Sequence, residues 1–146
     1  MTPRFGRVVT AMITPFNEDG SLDTKGASDL AQWLVHQGND ALVLAGTTGE
    51  SPTITQDEQI RLVEAVVEAV EIPIIAGAGS NDTKSAVTNT QRCEQAGAKA
   101  ILSVTPYYNR PSQTGMYQHY LQISESTELP IMLYDIPIRT GRKLES

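Results

Sequence analysis

An α/β fold built on a parallel sheet is what this sequence predicts, on three observations. Short apolar runs recur about every 30 residues, the length of one strand, one helix and two short loops. The segments between them carry helical spacing. A glycine or proline stands just before each new run. Strand–helix alternation with near-continuously apolar strands implies a sheet covered by helices. Right-handed crossovers then set every strand's C-terminal end, with its following loop, on one face.

The first run is Val8–Ala11. The helix after it is marked by Leu30, Leu34 and Val35 and ends at Gly38, with His36 near its last turn. Ala41–Ala45 is the second run. Its helix is the most clearly written: Thr55 to Glu58 forms a T-x-x-E capping box, and Ile60, Val63, Val66, Val67 and Val70 follow with a period near 3.6. Pro73 closes that segment, overlapping the third run, Ile72–Ala76. Asn81 or Asp82 suits the N-cap of the next helix, whose inner face reads Ala86, Thr90 and Cys93 up to Gly97. Ala100–Val104 is the fourth run. Tyr117, Tyr120 and Leu121, with His119 among them, mark a fourth helix, and Pro130 precedes the fifth run, Ile131–Tyr134. Short, apolar and bounded by prolines, that last run reads as a buried parallel strand.

Two architectures share this pattern, an open doubly wound sheet and a (β/α)8 barrel. A dinucleotide fold wants G-x-G-x-x-G after its first strand, whereas Val9–Thr14 has no glycine and Gly77-Ala78-Gly79 has no third. The regular repeat without that fingerprint favours the barrel. A complete one takes about 250 residues and eight strands. About five strands and four helices are legible in these 146 residues, so residues 1–143 read as the N-terminal part of a (β/α)8 (TIM) barrel. Residues 144–146, Leu144-Glu145-Ser146, read either as a vector-derived remnant or as the start of a helix.

Composition narrows the partners. A formal net charge of −6 with no basic stripe argues against nucleic acid and gives no reason to expect a membrane surface. No apolar run approaches about 18 residues, and no signal-peptide pattern opens the chain. Cys93 is the only cysteine, which fits a reducing compartment, and its helical setting suits an inert buried thiol. Cytoplasm is the expected location.

The loops after the strands carry the chemistry. Gly46-Thr47-Thr48-Gly49-Glu50-Ser51 allows close backbone approach and offers hydroxyls beside free N–H groups, which suits a small carboxylate or phosphate; it reads equally as a capped tight turn. Without Gly-Lys-Ser/Thr it is not a P-loop. Thr105-Pro106-Tyr107-Tyr108-Asn109-Arg110-Pro111 sets two tyrosines side by side, so that one can face a site and the other a partner surface. After the fifth strand come Tyr134 and Arg139, whose planar fork suits a carboxylate. His36 and His119 lie off this face, and no metal-spaced cluster occurs. Hydroxyls, phenols and one arginine suit proton shuttling and keto-acid binding without metal. A nucleophile is missing from that set.

Read together, Gly46–Ser51, Ala76–Asn81, Pro106–Pro111 and Tyr134-Asp135-Ile136-Pro137-Ile138-Arg139-Thr140-Gly141 resemble the signature loops of the dihydrodipicolinate synthase family, with Thr14-Pro15-Phe16 similar to its first loop. The resemblance runs from about residue 7 to 143. It implies a (β/α)8 barrel assembled as a homotetramer of tight dimers. The implied activity is that of a lyase condensing pyruvate with aspartate semialdehyde on the diaminopimelate route to lysine, through a lysine Schiff base and with no cofactor. It further implies that Thr47, Tyr108 and Tyr134 form a proton relay, with Tyr108 reaching into the neighbouring subunit. Thr48 resembles the pyruvate-carboxylate contact and Arg139 the receiver of the aldehyde substrate's carboxylate. Asn81 and Tyr107 match the lining of an effector pocket, where Gln56, Gln59 and Ser85 replace the usual histidine and glutamate; weak or absent lysine feedback is expected. Asp135 stands where many members have asparagine. Ile138 stands where glycine or serine usually precedes the arginine, and its β-branch disfavours unusual backbone angles.

The family's Schiff-base lysine belongs to a sixth strand, beyond residue 146. Lys25 and Lys84 open helices, Lys99 precedes the fourth strand on the opposite face, and Lys143 follows the fifth. None suits a desolvated imine-forming position. The chain is therefore expected to carry relay and binding loops without the nucleophile. The alternatives are a non-catalytic half-barrel that self-associates through its strand edges, or a related pyruvate-dependent aldolase. Partners then are small keto-acid and aldehyde substrates, and either further copies of the chain or the remaining half of a barrel.

Overall fold

The computed structural model describes residues 4–145. Five parallel strands, β1 (Val9–Ala11), β2 (Ala41–Leu44), β3 (Ile74–Gly77), β4 (Ala100–Val104) and β5 (Ile131–Tyr134), lie in sequence order in one sheet. The connecting helices are α1 (Thr24–His36), α2 (Gln56–Ala69), α3 (Thr83–Gln95) and α4 (Gln113–Glu125). Every neighbouring pair is parallel, so each connection is a βα crossover and all strand C-termini share one face. The architecture is the (β/α)8 barrel's, open and partial.

Side-chain alternation sorts the apolar strands into two layers. Leu42, Leu44, Ile74, Ala76 and Ile101 pack outward against Ala27 and Ala31 of α1, Leu62, Val63 and Val66 of α2 and Cys93 of α3. Ala41, Val43, Ile75 and Ala100 face the concave side and form their own cluster, with Phe5 and Leu102 against it. At about 25 cal/mol per Å2 of apolar surface, this two-layer burial is the main source of stability.

The helix ends follow their sequence signals. Thr55 Oγ1 accepts from Glu58 N–H at 3.2 Å while Glu58 Oε2 accepts from Thr55 N–H at 2.8 Å, completing the capping box. These bonds hold the Glu58 carboxyl below its ordinary value. Asp82, not Asn81, caps α3, accepting from Ser85 N–H at 2.7 Å. Asp40 ties the start of the sheet down by accepting from the N–H groups of Arg7 and Val8.

Two features refine the expectations. β5, read as a buried parallel strand, is an edge strand among the described residues: β4 is its neighbour in the sheet, and Met132 is 40% and Leu133 51% exposed. The helix count also rises. A one-turn helix α5 spans Pro137–Thr140, and a 3-10 turn spans Ser51–Thr53. Pro137 starts α5 and Gly141 ends it in the left-handed conformation, the usual proline–glycine asymmetry. Of the tail 144–146, Leu144 and Glu145 hydrogen-bond to Asp135 and Gln113, and Ser146 falls outside the described residues, as do residues 1–3 of the N-terminal part. Among the described residues, no helix is long and apolar enough to cross a membrane.

Candidate active site

The strand C-termini surround a cavity of about 250 Å3, lined in part by Gly46 and Thr47 after β2, Leu102 and Val104 on β4, and Tyr134 and Arg139 around the end of β5. Each wall has a local cause. Ala45 turns the chain at the end of β2 with φ +51°, and its carbonyl oxygen lies directly against Gly77. A Cβ on Gly77 would overlap that oxygen, so the close approach of the two loops requires glycine. The same holds for Gly79, where a Cβ would fall 2.5 Å from Val104 N.

The threonine loop is fixed from behind. Buried Thr14 donates its hydroxyl to the Gly49 carbonyl at 2.6 Å. Ser51 N–H donates back to Gly46 O at 3.3 Å. The loop is thus closed on itself, and of its two exposed threonines Thr47 lines the cavity.

Of the residues singled out from sequence, Thr47, Tyr134, Arg139 and Tyr107 meet at this one cavity. Thr48 and Tyr108 do not line it. Tyr108 is 91% exposed and adopts φ +71°, a left-handed conformation that is uncommon for a tyrosine. That backbone turn separates the two phenols, aiming Tyr107 at the cavity and Tyr108 away from it. Asn81 Nδ2 donates to Tyr107 O at 3.2 Å and Asn109 Nδ2 to Asn81 O at 3.0 Å, lacing the third and fourth loops together.

Arg139 sits on α5, with Ile138 beside it 93% exposed and no left-handed backbone angle at either residue. The branched side chain is accommodated by pointing into solvent. Thr140, also lining the cavity, is 2% exposed and donates to the Arg142 carbonyl at 2.8 Å.

Gln59, expected among the effector-pocket positions, lies on the inner face of α2. Gln59 is 7% exposed, and its amide donates to Gly77 O at 2.8 Å and lies 3.4 Å from Cys93 Sγ. It shares the inner face of α2 with Leu62, Val63 and Val66, a helical spacing legible in the sequence. Its side chain supports the cavity floor from the core. Gln56 is exposed, and Ser85 half-buried, on the surface of their helices. Burial pushes the Cys93 thiol up to about 11, so it stays protonated and inert.

None of Lys25, Lys84, Lys99 and Lys143 lines the cavity. Its polar groups are hydroxyls, phenols and one guanidinium, a set able to bind a carboxylate and pass protons at an adjoining carbon.

Comparison with known proteins agrees over almost the whole chain. The Dihydrodipicolinate synthetase family matches residues 4–146. The 4-hydroxy-tetrahydrodipicolinate synthase of Acidothermus cellulolyticus is 54% identical over 143 residues, covering 97% of this chain and 46% of that protein. The crystal structure of a Bacillus anthracis dihydrodipicolinate synthase superposes with a TM-score of 0.94 at 44% identity, covering 99% of this chain and 50% of that one. An Acinetobacter baumannii dihydrodipicolinate synthase, solved in complex with pyruvate, gives a TM-score of 0.91 at 42% identity over 94% of this chain and 48% of that one. The chain thus spans about half the length of the relatives it matches.

Proposed function

The chain belongs to the dihydrodipicolinate synthetase family, and from that premise we propose that it supplies the relay and carboxylate-binding half of a 4-hydroxy-tetrahydrodipicolinate synthase. The observation that carries this reading is the meeting of Thr47, Tyr134 and Arg139 at one cavity at the strand C-termini. The substrates in this reading are pyruvate and aspartate semialdehyde, in the cytoplasmic diaminopimelate route to lysine.

Pyruvate condenses with a lysine to an imine, which releases water. Loss of a methyl proton gives the enamine whose carbon attacks the aldehyde. Each step moves a proton, and Tyr134 acts as the local acid and base, passing protons through Thr47. The cationic fork of Arg139 receives the aldehyde substrate's carboxylate, while Thr48 contributes hydroxyl and backbone contact to the pyruvate carboxylate. Tyr108 completes the relay in a neighbouring subunit of a homotetramer; its 91% exposure here favours that role. In this reading the imine-forming lysine is none of Lys25, Lys84, Lys99 and Lys143, which do not line the cavity.

Feedback by lysine is weak or absent in this reading, since Gln59 is engaged with Gly77 O and Asn81 and Tyr107 alone keep the effector-lining chemistry. Inhibition of the complete enzyme by sub-millimolar lysine contradicts that. Steady-state kinetics of the complete enzyme test the roles. Tyr134→Phe lowers kcat on the order of 100-fold, and Arg139→Ala raises KM for the aldehyde while leaving KM for pyruvate within about 3-fold. Unchanged constants in both variants exclude the assignment.

The exposed edge residues Val9 on β1 and Met132 and Leu133 on β5 favour a second property. As a separate polypeptide, the chain associates with copies of itself through these edges. Light scattering reads that directly: a monomer at 100 μM, an order-of-magnitude working concentration for such surfaces, rules it out.

A further inference from the structure

Behind the cavity wall lies a line of polar groups that the loops do not account for. Thr105 follows β4 and is fully buried. Its backbone N–H donates to the Tyr134 carbonyl at 3.0 Å, and its Oγ1 donates to the same oxygen at 3.3 Å. The Tyr120 hydroxyl, reaching inward from α4, donates to Thr105 Oγ1 at 3.2 Å.

The proton count gives this line a direction. A hydroxyl has one hydrogen to donate. Thr105 directs its own to the Tyr134 carbonyl, so its oxygen accepts from a neighbour, and Tyr120 is that neighbour. Tyr120 is 9% exposed, and burial pushes its phenol above the ordinary value, with Asp135 adding to the effect and the Thr105 bond opposing it. It therefore remains a neutral donor across the ordinary pH range. An ordinary parallel ladder provides one hydrogen bond to a strand carbonyl. Here the carbonyl of Tyr134 receives two, both from Thr105. That matters because β5 has a strand on one side only.

We propose that Thr105 and Tyr120 are positioning residues for Tyr134: a buried hydroxyl line from α4 clamps the Tyr134 carbonyl and so aims its phenol into the cavity. The inference rests on the reading of Tyr134 as the proton-transfer group. Proton transfer requires the donor within hydrogen-bond reach, and an error of about 1 Å can cost on the order of 100-fold in rate.

The experiment uses Tyr120→Phe, Thr105→Val and Thr105→Ser, with the double variant Tyr120→Phe/Thr105→Val. Ring-13C-tyrosine NMR of the chain itself reads Tyr134 without reference to activity. The Tyr134 signal shifts or splits in Thr105→Val and in Tyr120→Phe, and returns to its original position in Thr105→Ser. In the complete enzyme, Thr105→Val lowers kcat about 10-fold with KM within about 2-fold. Tyr120→Phe lowers kcat by less, and the double variant equals Thr105→Val alone, because Tyr120 acts through Thr105. An unmoved Tyr134 signal in every variant overturns the proposal, as does a double variant whose effects simply add. Absence of synthase activity in the unsubstituted enzyme overturns the functional reading instead, and the NMR result then still decides whether the clamp exists.

Discussion

The middle of the sheet and its two edges are written in nearly the same residues and end up in different environments. Leu42, Leu44, Ile74, Ile75 and Ile101 on β2, β3 and β4 are no more than 1% exposed. Val9 on β1 and Met132 and Leu133 on β5 are 40% to 51% exposed, although their runs are equally apolar and short. The difference is one of neighbours: a central strand is covered by two strands and by helices, an edge strand by one strand. The residues lining the cavity divide along the same line. Gly77 and Gly79 belong to the middle of the sheet, where backbones touch, whereas Tyr134 ends the edge strand β5 and Arg139 sits on α5 just beyond it.

The most direct way to break this comparison is to delete equivalent side chains in the two regions. Leu42→Ala removes a fully buried side chain and costs about 3 kcal/mol, whereas Leu133→Ala costs under about 1 kcal/mol. Urea unfolding of both variants checks this, and equal losses would mean that the edge is covered after all. Gly77→Ala comes next. Its Cβ collides with the Ala45 backbone, which has no flexible end to give way, and the loss is about 2 kcal/mol together with a distorted cavity.

Two titrations sharpen the contrast with opposite signs. In the middle, the thiol of Cys93 is raised from 9.0 to about 11 by burial. A group that holds its proton more tightly when folded contributes fully below pH 9, so stability falls on the order of 2 kcal/mol as pH rises from 9 to 11. Cys93→Ala flattens that slope in denaturation curves taken across the range. At the surface, Glu58 is lowered from 4.5 by its bonds to Thr55. Its contribution is present above that value and is lost as pH falls through the lowered one. Thr55→Ala costs about 1 kcal/mol at pH 7, and the gap between the two proteins narrows in acid.

Much of this was legible in the sequence, and what was not has identifiable physical reasons. The strand period, the Thr55–Glu58 capping box and the glycine and proline boundaries depend on residues close in the chain; they located the five strands within about two residues and marked the four helices between them. The family resemblance rested on loop motifs, which local sequence also holds. The exposure of β5 depends on what lies beside it in the sheet, which no local pattern encodes. The inward turn of Gln59 follows its spacing with Leu62, Val63 and Val66, but an amide among valines reads as a surface residue until its acceptor, Gly77 O, is known. The opposite aims of Tyr107 and Tyr108 hinge on a left-handed tyrosine, which sequence rules disfavour. The α5 turn did carry its signals, Pro137 and Gly141, at a length too short for periodicity to register.

The central claim is that this chain holds the relay and carboxylate-binding groups of the synthase without the amine that forms the imine. Borohydride reduction in the presence of pyruvate, followed by mass spectrometry of the chain, tests it most directly. No stable pyruvate adduct on Lys25, Lys84, Lys99 or Lys143 is the result expected. A stable adduct on any one of them, lost when that lysine is changed to arginine, would contradict the account.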